Sequence, residues 1–375
     1  MSHTMNRRKF ATSLGMLAAM LPLGAAALNF TPSRGKGFHF VLLGDLHFDK
    51  LEHHDTGYVN AKYAGDWNQI RNYSRITREN LPLLMNVIKQ QGNRDNAAFY
   101  LQLGDFVEGL CGTEALAQQQ TKEFIDFIAA QQLDRPFFVI KGNHDITGEG
   151  APQTYVKTVL PWQANVLKQK NTTANATFVH KGVRFILFDG YTPDESLQWL
   201  KKVLATHKES LLFFCIHMPV VPFNARANWH VFAKPSEQPQ REELLQLLGK
   251  HHAIVLCGHL HKTCILKRST PAGDFVQVCL GSVIPAPDAK IKDHLKGVEF
   301  YNAGLVNLEP AFAPASLEER RTNLTNEQPF IKYYEYADFC GYATIGVTEE
   351  KEVTMAVYAN VDTTPWNTIH LSALT

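Results

Sequence analysis

The chain has 375 residues, 45% apolar and 19% charged, a balance that suits a globular protein with a sizeable core and leaves one large domain or two small ones open. Its 37 basic residues against 36 acidic ones give a formal net charge of +1. That excludes a whole-chain field able to gather a nucleic-acid polymer or an anionic membrane, so any attraction for phosphate has to be local.

The first segment is unlike the rest. Asn6-Arg7-Arg8-Lys9-Phe10 precedes an apolar run from Leu14 to Leu28 that contains Pro22 and ends in Gly24-Ala25-Ala26-Ala27. A basic head, a short apolar stretch and a small-residue site predict an export signal over 1–28. The run falls short of the ~20 residues a membrane span needs. The paired arginines resemble the twin-arginine signals that carry folded proteins, which predicts a bacterial periplasmic location and would let metal load before export.

From Phe38 onward short apolar runs alternate with helical patterns. Predicted strands are Phe38 to Leu43, Ala98 to Leu103, Pro136 to Ile140, Val183 to Phe188, Leu211 to Ile216, Ala253 to Cys257 and Phe275 to Leu280. Their near-continuous apolarity is that of strands covered on both faces. Between them, Leu83, Leu84, Val87 and Ile88 mark one helical stripe, and Leu116, Phe124, Phe127 and Ile128 another. Thr192-Pro193-Asp194-Glu195 reads as a capping box before the face Leu197, Leu200, Val203 and Leu204. Leu244, Leu245 and Leu248 form a further face, with Gly249 placed to end that helix.

The stretch 284–336, rich in proline and asparagine, reads as an ordered but irregular insertion. Tyr342 to Thr348 and Val353 to Tyr358, joined by Glu349-Glu350-Lys351, predict a C-terminal hairpin. With no repeat or low-complexity linker, the alternation predicts a single α/β domain over 38–375. Six cysteines occur without a C-x-x-C pair, most of them in strand-like runs where a thiol serves as a small core hydrophobe. Export would permit some to oxidise.

The residues just beyond each strand carry the chemistry. The first strand runs into Gly44-Asp45-Leu46-His47, the second into Gly104-Asp105, and the third into Gly142-Asn143-His144-Asp145. Leu211 to Ile216 delivers His217, and Ala253 to Cys257 delivers Gly258-His259-Leu260-His261. In α/β sheets ligands bind beyond the carboxyl ends of strands. Carboxylate, imidazole and amide oxygen together suit Zn²⁺, Mn²⁺ or iron rather than Ca²⁺ alone. Singly, each motif is more often a turn, a cap or a hydrogen-bonded loop histidine; their joint occurrence at successive strand tips is what points to a metal site.

This series resembles the calcineurin-like metallophosphoesterase superfamily over about Phe38 to Ser282 and on to the hairpin. The resemblance implies a four-layer α-β-β-α sandwich with mixed sheets and a site for two metal ions of the Mn/Fe/Zn class. Asp45, His47 and His261 would hold one ion, Asn143, His217 and His259 the other, and Asp105 would bridge them. A shared water, its pKa lowered, would attack phosphorus in line with the leaving oxygen. His144 would protonate or stabilise the leaving oxygen, or else only bond phosphate, with Asp145 orienting its ring.

Purple acid phosphatases resemble the pattern but carry Asp-x-Gly first and a tyrosine three residues after the bridging aspartate, where this chain has His47 and Glu108; a tyrosinate-bound purple centre is not expected. The Asp-x-His form is shared by phosphodiesterases and phosphomonoesterases, with a small phosphate ester as the expected substrate and the diester slightly favoured. Two long loops, Asp49 to Tyr73 and Pro219 to Pro239, would wall the substrate. There Trp229 could stack on a base or sugar and Arg226 pair with phosphate, or both could pack the loop against the domain. His251-His252, Cys257 and Cys264 lie off the motif series and read as a solvated helix end and as core. The rival class is a catalytically silent member kept as a binding scaffold; its mark would be lost ligands, and none is lost here.

Overall fold

The computed structural model describes residues 37–170, 172–312 and 315–375, so the predicted export signal lies outside the described residues. Strands in chain order are β1 (Phe38–Leu43), β2 (Tyr100–Gln102), β3 (Phe137–Val139), β4 (Ala176–His180), β5 (Val183–Leu187), β6 (Leu212–Cys215) and β7 (Ile254–Cys257). They continue with β8 (Thr263–Thr270), β9 (Gly273–Cys279), β10 (Lys292–Lys296), β11 (Ile331–Asp338), β12 (Gly341–Val347), β13 (Val353–Ala359) and β14 (Asn367–His370). One sheet has the order β14-β13-β12-β1-β2-β3, the other β10-β11-β8-β9-β7-β6-β5-β4. Both are mixed: β1, β2 and β3 run parallel, as do β5, β6, β7 and β9, and the rest pair antiparallel.

Four layers arise from side-chain alternation. In β1, Phe38, Phe40 and Leu42 face the second sheet, while Val41 and Leu43 face helices. β6 does the same, with Phe213 and Cys215 inward and Leu212 and Phe214 outward. The inter-sheet layer is aromatic: Phe40 stacks on Phe99 at 4.9 Å and meets Phe213 edge-on at 5.4 Å, near the favoured offset and T-shaped geometries. Helices Leu81–Arg94 and Glu114–Ala130 cover the first sheet, and Pro193–Leu204, Gln238–Lys250 and Leu317–Glu327 the second. Among the described residues no helix is long and apolar enough to cross a membrane.

Several local expectations change. The buried stripe of Leu81–Arg94 is Leu81, Leu84, Met85 and Ile88, and Leu83 points to solvent. Thr192 stands at the N-cap but makes no cap bond; its hydroxyl lies 3.3 Å from Ser196 Oγ instead. Gly249 sits inside the last helical turn, where a Cβ would strike Gly273 O at 2.5 Å, and His252 takes the left-handed conformation that ends the turn. Residues 284–336 hold more regular structure than their composition suggests, including the Ser316-capped helix Leu317–Glu327 and the strand β11 paired with β8. The six cysteines are reduced and buried.

Candidate metal centre

The parallel strands end along one edge of the sandwich, β1, β2 and β3 in one sheet and β6 and β7 in the other. Asp45 and His47 follow β1, Asp105 follows β2, Asn143 follows β3, His217 follows β6, and His259 and His261 follow β7. The chain must turn sharply there to aim side chains over the edge. His47, Asp105, His259 and His261 all take positive φ, between 46° and 73°. Non-glycine residues so placed cost about 1–3 kcal/mol each and persist only where surrounding structure enforces them.

The glycines before these residues serve two needs. Gly104 has φ +94°, which a side chain would strain. Gly258 instead permits close approach, since a Cβ there would lie 2.3 Å from Asp45 Oδ1, the atom that accepts the His259 amide at 2.9 Å. Gly258→Ala is therefore expected to push Asp45 aside and weaken metal binding about 10–100-fold, the range for lost supporting contacts. A calorimetric metal titration matching the wild type would refute this.

Two groups of donor atoms converge, and His47 and Asp105, one from each, form a third with His144. Asp45 Oδ2 lies 2.8 Å from His261 Nε2, which lies 2.9 Å from His47 Nε2. Asp105 Oδ2 lies 3.0 Å from His217 Nε2, itself 3.1 Å from His259 Nδ1. The same Asp105 oxygen stands 3.9 Å from His47 Nε2, between a histidine of each group. Asn143, at the tip after β3, accepts the Tyr191 hydroxyl on its Oδ1 at 3.3 Å.

The ring tautomers are set by the far nitrogens. His217 Nδ1 donates to the Leu103 carbonyl at 2.7 Å, and His47 Nδ1 meets Glu108 Oε2 at 2.7 Å. Anchoring Nδ1 on an acceptor leaves the Nε2 lone pair for a metal. Asp45 Oδ2 is buried, and no hydrogen-bond donor reaches it with usable geometry despite the 2.8 Å approach of His261. Lone pairs brought this close, with a buried carboxylate oxygen left over, fit divalent cations far better than they fit one another.

Electrostatics agree with a site that concentrates charge. Burial opposes ionisation of His217, but Asp105 and Asp45 outweigh it and raise the ring to about 9. Burial also opposes the charged form of His144, which Glu108 and Asp105 raise to about 9. Burial lifts Glu108 to about 8. Asp105 is held well below the usual carboxylate range because His217 and His144 overcome its burial.

His144 is oriented differently from the sequence expectation. Its Nδ1 donates to the Glu108 carbonyl at 2.7 Å and lies 3.3 Å from Glu108 Oε2, while Nε2 has no hydrogen-bond partner among the described residues. Asp145 does not reach the ring; its carboxylate accepts the amides of Asp105, Phe106, Val107 and Gly142 at 2.7–3.3 Å. The orienting residue is Glu108, three positions after Asp105, in the place where the motif comparison served only to exclude a tyrosinate. Tyr73 carries no sequence signal of its role: its ring stacks on His47 at 4.3 Å.

The predicted substrate walls resolve unequally. Asp49 to Tyr73 is mostly helix, through Thr56–Lys62 and the start of Trp67–Glu79. His53 and His54 are buried and pair with Glu123 and Asp49. The Trp229 ring lies 5.1 Å from the His259 ring and meets Phe312 edge-on at 4.8 Å. Arg226 Nε bonds Glu309 Oε2 at 2.7 Å. His251 packs against His207, and Cys257 and Cys264 lie in the core.

Comparison with known proteins agrees. Residues 38–263 match the family model of the calcineurin-like phosphoesterases. A manganese-dependent ADP-ribose/CDP-alcohol diphosphatase of Arabidopsis thaliana is 21% identical over 253 residues, 54% of this chain and 78% of the plant protein. Its namesake in Xenopus tropicalis is 30% identical over 131 residues, 33% of this chain and 36% of that protein. Among solved structures, a dimetal phosphatase from Danio rerio superposes with TM-score 0.51 at 15% identity, covering 89% of this chain and 99% of its own. A purple acid phosphatase from yellow lupin (Lupinus luteus) seeds gives 0.52 at 12% identity, covering 90% of this chain and 54% of its own. The family model spans more than half the sequence and its fold is the one observed, so the chain belongs to the calcineurin-like phosphoesterases and is a metal-dependent phosphoric ester hydrolase.

Proposed function

We propose that the chain hydrolyses a phosphodiester, in preference to a monoester, at a dinuclear metal centre. The observation that carries this reading is the pair of donor groups, Asp45–His47–His261 and Asp105–His217–His259, linked by a third in which His47 and Asp105 come together with His144. Asn143 completes the second group. Two cations held there would neutralise phosphoryl oxygens and lower the pKa of a shared water. The protein's own part is positional: the four left-handed residues fix the donor atoms, and Asp105 carries the negative charge both sides share. His144, held through Nδ1, keeps Nε2 for the leaving oxygen. Preference for a doubly substituted phosphorus draws on the curated relatives named for ADP-ribose and CDP-alcohols, whose diphosphate linkage is a phosphoanhydride with two substituents on each phosphorus, as a diester has; their stated manganese dependence makes Mn²⁺ the first metal to try.

The test is to strip the protein with chelator and add back Mn²⁺, Zn²⁺ or Fe²⁺ while following bis-p-nitrophenyl phosphate and p-nitrophenyl phosphate. Hydrolysis should vanish on stripping, return with metal, and favour the diester. A faster monoester would reverse the substrate preference, and silence with every metal would leave a binding scaffold.

A further inference from the structure

Beside the metal ligands two cations share one carboxylate. Glu309 takes Arg226 Nε on Oε2 at 2.7 Å, and its Oε1 lies 3.6 Å from Lys262 Nζ. Lys262 directly follows His261, and the Arg226 guanidinium lies 5.7 Å from the centre of the Trp229 ring that packs against His259. Lys262 has a second carboxylate, Asp338, at 2.7 Å, whereas Glu309 is the one carboxylate paired with Arg226 among the described residues. The two terminal guanidinium nitrogens of Arg226 carry no hydrogen bond among those residues, so the fork is only partly used.

The backbone of this segment is tied down, while the Glu309 side chain reaches solvent. Buried Arg320 donates to the carbonyls of Ala225, Glu309 and Pro310, each at 2.9 Å, and so ties this segment to the Arg226 loop. The Glu309 side chain itself is 26% exposed. A carboxylate and a phosphoryl group present oxygen pairs of similar spacing, so a gap that one spans between two cations accepts the other.

We propose that Arg226 and Lys262 form an anion subsite beside the metal cluster for the second, non-reacting phosphoryl group of a diphosphate-linked substrate, and that Glu309 occupies it as an internal anion until substrate displaces it. The subsite rests on the hydrolytic function proposed for the chain, in which the metal cluster holds the reacting phosphoryl group. Exchange of one anion for another keeps the two half-buried cations paired at every stage, which avoids the penalty of stranding them. It also favours substrates bearing two adjacent phosphoryl groups, because a single one leaves Glu309 in place.

The experiment compares binding of AMP and of α,β-methylene-ADP, a diphosphate that cannot be cleaved at its bridge, to the Mn²⁺-loaded full chain by calorimetry. Glu309→Gln removes the competing anion and should raise the affinity ratio of the diphosphate over AMP about ten-fold, while Arg226→Gln and Lys262→Gln should each lower it by about as much, the scale of one charge-assisted contact. Using the ratio cancels the general rise in potential from losing a carboxylate, which AMP also feels. A ratio that stays put in all three variants, a Glu309→Gln that weakens the diphosphate, or a wild type that does not bind it overturns the subsite. Binding needs no turnover, so a chain that shows the ratio shifts yet hydrolyses nothing would refute the hydrolytic reading and leave the subsite standing.

Discussion

Asp105→Asn is expected to lower kcat by about 10³-fold or more on a diester while leaving the fold intact, because removing several kcal/mol of charge stabilisation translates into that factor. The substitution preserves shape. The asparagine side chain would keep an oxygen for the His144 amide, which in the wild type bonds Asp105 Oδ1 at 2.8 Å. It would put an amide nitrogen where Oδ2 stands, 3.0 Å from His217 Nε2 and 3.9 Å from His47 Nε2. An NH₂ group cannot ligate, and the negative charge shared by the two donor groups is lost. If the proposed centre takes two ions, metal analysis after dialysis should therefore give about one ion per chain in the variant and about two in the wild type, with an unchanged far-ultraviolet spectrum. Two tightly held ions in the variant, or undiminished turnover, would mean that Asp105 does not bridge.

How far the molecule is legible in its sequence depends on how each residue is buried. The run Phe38 to Leu43 matches β1 residue for residue, since both faces are covered and only the half-buried His39 interrupts its apolarity. β8 and β11 escape notice because their buried positions include Arg268 and Glu335, which interrupt the apolar pattern. Those charges are tolerated through partners distant in the chain: Arg268 bonds Glu327, and Glu335 accepts from Asn367 and pairs with Lys296. The donor residues at the strand tips stand out for the opposite reason, as polar groups placed immediately after apolar runs. Their supporting contacts are less visible. Asp145 adjoins His144 in sequence, yet its carboxylate turns to four backbone amides, while Glu108 is brought to the ring across the loop after β2. Glu309 belongs to the stretch 284–336, where no motif marks it, and only the tie through Arg320 places it beside Arg226.

The second large effect concerns His144. His144→Asn should reduce kcat about 10²–10⁴-fold for an ester with a poorly stabilised alkoxide leaving group, the span of general acid catalysis, and much less for one releasing p-nitrophenolate. The ring lies close to the metal ligands, 4.6 Å from the His47 ring and with a nitrogen near Asp105, but its two nitrogens are used differently. Its Nδ1 is committed to the Glu108 carbonyl, and Nε2 has no hydrogen-bond partner among the described residues, so the ring offers one nitrogen to substrate. Asparagine could still bond a phosphoryl oxygen but could not transfer a proton. If His144 only binds phosphate, the loss should be equal across leaving groups, and rate plotted against leaving-group pKa should keep its wild-type slope. A steeper slope in the variant is the expected outcome. Glu108 gives the result a further reading, because one buried carboxylate stands 2.7 Å from His47 Nδ1 and 3.3 Å from His144 Nδ1. A change that unseats Glu108 should disturb metal affinity and leaving-group dependence together, whereas His144→Asn should move the second far more than the first.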